Sequence, residues 1–270
     1  MNLFRGQSQN LGWGRVFGGQ VLGQALSAAS RTVPAERNAH SLHAYFLRPG
    51  DAEQPVVYEV DRIRDGRSFT TRRVVAIQKG RPIFNLAASF QVDEPGFSHQ
   101  LSMPVVPGPE ELESTLERNV RNAHRIPDVL KPIALADRPI ETRPVEPYDV
   151  LDPSPAGPVQ HVWYKTRGEL PDDPAVHRYM LAYASDFHFL QTSLQIHGAS
   201  WLSPSMQVAS LDHAMWFHRP FRMDDWLLYA IESPSTSGAR GLVWGRFFDR
   251  DGTLVASCAQ EGLIRRREPA

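Results

Sequence analysis

The feature that most restricts the fold of this chain is an internal duplication. A helical pattern followed by several strand patterns occurs twice, and the motif FLRP at residues 46–49 corresponds to FHRP at residues 217–220. A tyrosine follows each motif at the same distance, Tyr58 in the first copy and Tyr229 in the second. Such regularity indicates two copies of one supersecondary unit of about 100 residues.

Each copy is predicted to contain one long helix followed by four antiparallel strands in a meander. The helices are predicted over residues 15–33 and 174–196, because apolar residues recur there with helical spacing. The meander strands are predicted at residues 40–49, 55–65, 68–78 and 82–92, and again at 206–220, 226–233, 239–249 and 253–265. Two further strands, 138–147 and 159–168, precede the second helix.

The domain organisation follows from this repeat. We predict an N-terminal repeat over residues 1–94, a proline-rich connector over 95–137 and a C-terminal repeat over 138–270. A meander buries a single helix against one face of its sheet, and pairing two such units edge to edge removes exposed edges. The expected architecture is therefore α+β, with one continuous curved sheet around two long helices.

The composition excludes several kinds of partner. The chain is 41% hydrophobic and 22% charged, with a net charge of −1, so it lacks the basic surface that nucleic acid binding needs. No apolar run approaches the roughly 20 residues of a membrane span. The one cysteine, Cys258, permits no disulfide within the chain and favours the cytoplasm.

Common catalytic motifs are absent from the sequence. It contains no GxSxG, HExxH, paired CxxC or GxxxxGK[ST] pattern. Histidines at positions 40, 43, 161, 213 and 218 lie in strand patterns without a surrounding set of carboxylates, so they are interpreted as core or polar residues. We therefore expect neither a metal site nor a cofactor.

Polar residues inside apolar segments are the remaining candidates. Asp186 lies in the apolar helical stretch HRYMLAYASDFHFL, Ser210 in a long strand and Gln260 in the last strand. A buried carboxylate is costly unless it is hydrogen-bonded or used in function. Carboxylate, hydroxyl and carboxamide together could orient and activate a water molecule, although a structural polar network is an alternative explanation.

The sequence resembles the type II acyl-CoA thioesterase family along nearly its whole length. The resemblance is carried by LFRGQS, FGGQVLGQAL, HSLHAYFLRPGD, RPIFNLAASFQ, YASDFHFL, LDHAMWFHRPF and VASCAQEGLIR. It implies a double hotdog fold and hydrolysis of the thioester of fatty acyl-CoA to free fatty acid and CoA. It further implies that Asp186, Ser210 and Gln260 are the catalytic group, with Ser210 standing where the bacterial form usually has threonine.

The resemblance leads to further expectations about the site. A backbone N–H in the region of Gly18, Gly19 and Gln20 would stabilise the oxyanion, because it lies at a helix N-terminus. Tyr183, Phe187 and Met215 would line an acyl channel, and core packing explains them equally well. A homo-oligomer is expected by analogy. Relatives also carry a further segment before Leu3, so either the start codon is misassigned or part of the first edge strand is missing.

Two other functions fit a hotdog scaffold. A hydratase acting on enoyl thioesters would combine a carboxylate with a histidine, but His188 does not share a helix face with Asp186. A non-catalytic acyl-CoA binder would bind the ligand tightly without turnover.

Overall fold

The computed structural model describes residues 2–12 and 14–267. Its strands are β1 Leu3–Gly6, β2 Arg37–Phe46, β3 Val56–Asp65, β4 Phe69–Gln78, β5 Arg81–Val92, β6 Ile140–Pro144, β7 Val159–Thr166, β8 Met206–Ser210, β9 Asp212–Phe217, β10 Leu227–Ser237, β11 Arg240–Phe248 and β12 Leu254–Arg266. Its α-helices are α1 Gly18–Ser30, α2 Thr115–Arg121, α3 Lys131–Ala134, α4 Pro174–Ala184 and α5 Phe189–Gln195. Short 3₁₀ turns lie at Pro109–Glu111, Ala123–Arg125 and Asp128–Leu130.

The described residues form two compact units between which the chain passes several times. Unit 1 comprises the described parts of residues 1–100, 170–187 and 211–222. Unit 2 comprises those of 101–169, 188–210 and 223–270. Each unit therefore takes elements from distant parts of the sequence.

Unit 1 is an antiparallel sheet with two helices. Its strands are ordered β1-β3-β4-β5-β2-β9. Helix α1 packs against α4 and against several strands of this sheet. The residues that α1 buries completely are apolar and recur with helical spacing: Leu22, Ala25, Leu26 and Ala29.

Unit 2 repeats the same plan. Its strands are ordered β8-β12-β11-β10-β7-β6, and α5 packs on β10, β11 and β12. Buried aromatic rings fill the space between them, with Tyr229 stacked on Phe247 at 3.9 Å and Phe189 beside Tyr229. Cys258 is also buried and lies 3.2 Å from the Tyr229 hydroxyl, so it belongs to the core.

The strand order corrects the predicted meander. Among the described strands that follow the long helices, β3-β4-β5 and β10-β11-β12 pair consecutively, and the first strand of each copy pairs with the last: β2 with β5, and β8 with β12. The segment 47–55 between β2 and β3 is longer than hairpin loops of about 2–5 residues, so it does not return the chain directly. That β8 repeats the pairing of β2 supports the duplication.

One predicted strand and one predicted helix are each divided into two elements in the structure. The strand predicted over 206–220 is β8 in unit 2 and β9 in unit 1, because its pairing partner changes at Leu211. The helix predicted over 174–196 is α4 and α5. The short β1, which we did not predict, pairs with β3 at the edge of the unit 1 sheet. No helix among residues 2–12 and 14–267 has the length and apolar character to span a membrane.

Candidate active site

The N-terminus of α1 is the first part of the candidate site. Phe17 precedes this helix in an extended conformation without a side-chain cap, and the first turn has no acidic residue. Unpaired N–H groups and a partial positive charge make such a terminus favourable for an anion. Asp186 supplies the anion, because its Oδ2 accepts a hydrogen bond from the Gly19 N–H at 2.8 Å. A residue far away in the sequence therefore caps α1.

Two glycines permit this close approach. A Cβ at Gly18 would lie 2.7 Å from Asp186 Oδ2 and 2.9 Å from the Phe46 ring. A Cβ at Gly19 would lie 2.2 Å from the carbonyl oxygen of Tyr183. Both separations are too short for a carbon atom, so a side chain at either glycine would displace Asp186 or α4.

Asp186 lies in a break between two helices, and not within one helix as predicted. Helix α4 ends at Ala184, and α5 begins at Phe189. The break ends at His188, whose φ of 64° lies in the left-handed region that few residues other than glycine adopt. An apolar helix offers no polar partner for a carboxylate, whereas the break lets Asp186 reach α1.

Aromatic rings flank Asp186. Phe17 stacks on Phe187 with 4.4 Å between ring centroids, and Tyr183 meets both rings edge-on at 5.6 and 5.4 Å. Two of the predicted channel residues therefore form one aromatic cluster with Phe17, the residue that precedes α1. The third, Met215, is completely buried in β9, opposite Leu42 of β2.

The side chain of Gln20 already has a structural role. Its Nε2 donates to the carbonyl of Gln7 at 2.8 Å, and its Oε1 accepts from the N–H of Gln9 at 3.2 Å. The side chain of Gln20 therefore anchors the segment before α1.

The Gly18 N–H is the donor at this helix terminus that stays available. The Gly19 N–H binds Asp186, and the N–H groups of Gln20 and Val21 both point to the Phe17 carbonyl. Within the described part of the chain, the Gly18 N–H has no acceptor. This donor lies beside a carboxylate and at the positive end of a helix.

The other two predicted catalytic residues form a pair in unit 2. The Nε2 of Gln260 donates to the Ser210 Oγ at 2.9 Å. Gln260 is 1% exposed and lies in β12, whose Gly262 is opposite Ser210 in β8. The structure thus places Asp186 with Gly19 in one unit and Ser210 with Gln260 in the other.

Other ionisable residues are less suited than Asp186 to act as the catalytic base. His40 Nε2 is hydrogen-bonded to the Ser89 hydroxyl at 2.8 Å, and burial lowers the pKa of His40. Glu261 binds Arg240 at 2.8 Å. In the residues that the structure describes, no three or more His, Cys, Asp or Glu side chains are grouped to hold a metal ion.

The sequence matches known families in both halves. Residues 8–91 match a family described as the acyl-CoA thioesterase N-terminal domain, and residues 130–263 match the acyl-CoA thioesterase family. The acyl-CoA thioesterase 2 of Haemophilus influenzae is 45% identical over 263 residues, covering 97% of this chain and 92% of that protein. The chain belongs to the acyl-CoA thioesterase family.

Further relatives of this thioesterase extend the comparison to eukaryotes and to solved structures. Human acyl-coenzyme A thioesterase 8 is 45% identical over 272 residues, covering 98% of this chain and 85% of the human protein. A crystal structure of an acyl-CoA thioesterase II from Mycobacterium marinum has 42% identity and a TM-score of 0.78, covering 99% and 94% of the two chains. A protein from Alicyclobacillus acidocaldarius described as having a hot dog fold gives a TM-score of 0.77 at 19% identity, covering 100% and 94%. The hotdog fold predicted from the sequence is confirmed.

Two residues near Asp186 were not identified from the sequence as candidates for the site. Ser185 and His213 are both completely buried, and their side chains are 3.0 Å apart from Oγ to Nε2. The sequence pattern favours a core or polar histidine at His213 and assigns no role to Ser185. The available signal was a hydroxyl directly before the candidate carboxylate in YASDF, but its partner in a distant strand has no local signature.

Proposed function

We propose that this thioesterase hydrolyses the thioester of fatty acyl-CoA to free fatty acid and CoA, with Asp186 as the base. One observation carries the proposal: the Asp186 carboxylate binds the N-terminus of α1 while Tyr183 and Phe187 lie beside it. A carboxylate can accept a proton from water, and the hydrogen bond from Gly19 fixes its position against α1. The aromatic rings provide an apolar surface for an acyl chain.

In the proposed reaction, a water oxygen bonds to the thioester carbonyl carbon while its proton passes to Asp186. The electrons of the C=O double bond move to oxygen, and the Gly18 N–H stabilises the resulting oxyanion. The C–S bond then breaks, and the sulfur leaves as a thiolate that takes the proton from Asp186. The products are a carboxylic acid and the CoA thiol, and the enzyme returns to its starting state.

We assign orientation of the water to Ser210 and Gln260. Because Gln260 donates to the Ser210 Oγ, that oxygen acts as the acceptor and its own proton can be donated to the attacking water. A threonine at position 210 would present the same hydroxyl. The pair therefore complements Asp186, which accepts the proton of the water.

The proposal also places the thioesterase in the cytoplasm and includes its association into a homo-oligomer. Cys258, the single cysteine of the sequence, is buried in the core, as suits a reducing cytoplasm. Tyr45 and Trp216 leave large aromatic surfaces exposed on neighbouring strands of unit 1, which supports association into a homo-oligomer. Size-exclusion chromatography with light scattering measures the assembly, and a monomeric mass contradicts this part.

The test measures CoA release from acyl-CoAs of increasing chain length, with wild type beside Asp186→Asn. Asparagine keeps the shape of the side chain but removes the base, so kcat is expected to fall by about 10²-fold or more. Ser210→Ala is expected to lower kcat less, because it affects orientation only, and Ser210→Thr is expected to retain activity.

The same assay distinguishes the alternatives. Tight binding of acyl-CoA without CoA release by the wild type indicates a binding protein. Loss of an enoyl-CoA without CoA release indicates a hydratase. Full activity in Asp186→Asn shows that another residue is the base.

A further inference from the structure

We propose that Ser185 and His213 form a positioning pair that fixes the carboxylate of Asp186 against α1. The inference rests on the function proposed above, since it concerns how the proposed base is held. All the residues involved, with Gly19, lie in unit 1. Neither Ser185 nor His213 is proposed to touch the substrate.

The hydrogen-bond geometry assigns the donor in this pair. The Ser185 hydroxyl has one proton, and it donates this proton to the carbonyl oxygen of Ala182 at 2.9 Å. While that proton is donated to Ala182, the serine oxygen is the acceptor at the 3.0 Å contact with His213 Nε2. We therefore assign the donor role to the Nε2 of His213.

The pair acts on the last turn of α4. Ser185 follows the final residue of this helix, and its N–H donates to the carbonyl of Leu181 at 2.8 Å. Its hydroxyl closes the same turn through Ala182, and His213 ties that hydroxyl to the neighbouring strand β9. The turn from which Asp186 projects is therefore attached to the sheet at the residue immediately before it.

The pair lies in the buried interior of unit 1. His213 lies on the inward face of β9 with Met215 and Phe217, which are both buried. A polar ring among apolar side chains is costly to leave without a hydrogen bond. The strand thus holds the hydroxyl in one direction, and the carboxylate one residue further on meets the Gly19 N–H at 2.8 Å.

The experiment compares two pairs of variants in the CoA-release assay. Ser185→Ala and His213→Leu remove one partner each, whereas Ser185→Thr keeps the hydroxyl and His213→Gln keeps a nitrogen donor of similar reach. A small displacement of a reacting group costs up to about 10²-fold in rate. We expect Ser185→Ala and His213→Leu to lower kcat at least about tenfold with little change in KM, and the conservative variants to restore most of it.

Ser193→Ala is the matched control. Ser193 is also completely buried, and its hydroxyl donates to the carbonyl of Leu190 at 2.8 Å, three residues earlier in α5. The control removes the same kind of bond without affecting Asp186, so its kcat is expected to equal that of the wild type. If Ser193→Ala and Ser185→Ala lower kcat equally, the effect is a general one on helix stability and the inference is wrong.

The Gly19 amide resonance gives a direct readout that a purely structural role does not change. In Ser185→Ala its proton is expected to exchange faster with solvent, because its acceptor is no longer fixed. Should His213→Leu fail to fold, the comparison of Ser185→Ala with Ser185→Thr decides the question. A fully active Ser185→Ala beside an inactive Asp186→Asn overturns the inference alone, whereas an active Asp186→Asn overturns the proposed function.

Discussion

Gly18 contributes to the site by having no side chain. In Gly18→Ala the new Cβ would lie 2.7 Å from Asp186 Oδ2 and 2.9 Å from the Phe46 ring. The carboxylate must therefore move away from α1, and kcat is expected to fall by about 10²-fold. Steady-state kinetics measure this loss, and Gly96→Ala is the control because a Cβ there meets no atom within 4 Å. Equal kcat values for the two variants contradict the prediction.

His188 is expected to make stability depend on pH. Burial, with a contribution from Arg138, lowers the pKa of His188 from 6.5 to about 4. The unfolded chain therefore binds a proton near pH 6.5 that the folded chain does not bind until about pH 4. The free energy of unfolding falls as pH decreases through this window, by at most about 3 kcal/mol, and less to the extent that solvent reaches the ring.

Urea unfolding of the wild type and of His188→Asn, each measured between pH 7 and pH 4, tests this loss of stability. Asparagine does not titrate there and tolerates a positive φ, so the variant lacks this part of the pH dependence. The lowered pKa values of His40 and His218 affect both proteins equally. Identical pH dependence in the two proteins rules out His188 as the responsible group.

At the residue scale, the sequence identified candidates but not their contacts. Asp186, Ser210 and Gln260 stand out because each interrupts an apolar segment. The bond from Gln260 to Ser210 and the bond from Gly19 to Asp186 join positions that are far apart in the chain. Local patterns carry no information on such pairs, so the sequence named the region of Gly18, Gly19 and Gln20 without showing which of its backbone N–H groups have an acceptor in the protein.

At the scale of elements, the contact between α1 and α4 depends on small residues. A Cβ at Gly23 would lie 2.8 Å from the Tyr179 carbonyl oxygen and 3.2 Å from the Tyr183 Cβ. Gly23→Val adds this carbon and two methyl groups, so the helices must separate. The expected destabilisation is about 2 kcal/mol, measured by urea unfolding. Gly96→Val, in open space, is expected to show almost none, and equal stability of the two variants contradicts the close packing.

The sequence predicted most elements but not how they pair. Apolar periodicity located α1 and the strands to within a few residues, because burial of one face fixes that period. It did not reveal the end of α4 at Ala184, because the stretch HRYMLAYASDFHFL is mostly apolar and favours one continuous helix. It also did not show that β2 returns to β5, since pairing depends on the path of the segment 47–55.

At the scale of the whole molecule, neither half of the sequence contains a complete unit. Unit 1 needs α4 to cover the glycine face of α1 and β9 to pair with β2. Residues 1–100 expressed alone are therefore expected to aggregate or to lack a cooperative unfolding transition. Circular dichroism during thermal unfolding tests this, with the full chain as control. A sharp transition in the fragment shows that the first repeat folds by itself.

The passage of the chain between the two units has a consequence for the ancestry of the protein. Unit 1 contains α4 and β9, which the second copy of the duplicated sequence encodes. An ancestor with a single copy could complete such a unit only by exchanging these elements with another identical chain. In the present chain both copies are joined, so the exchange takes place within one molecule and the two copies need not be alike. The first copy supplies the glycines at the start of α1, and the second supplies the aspartate that binds there.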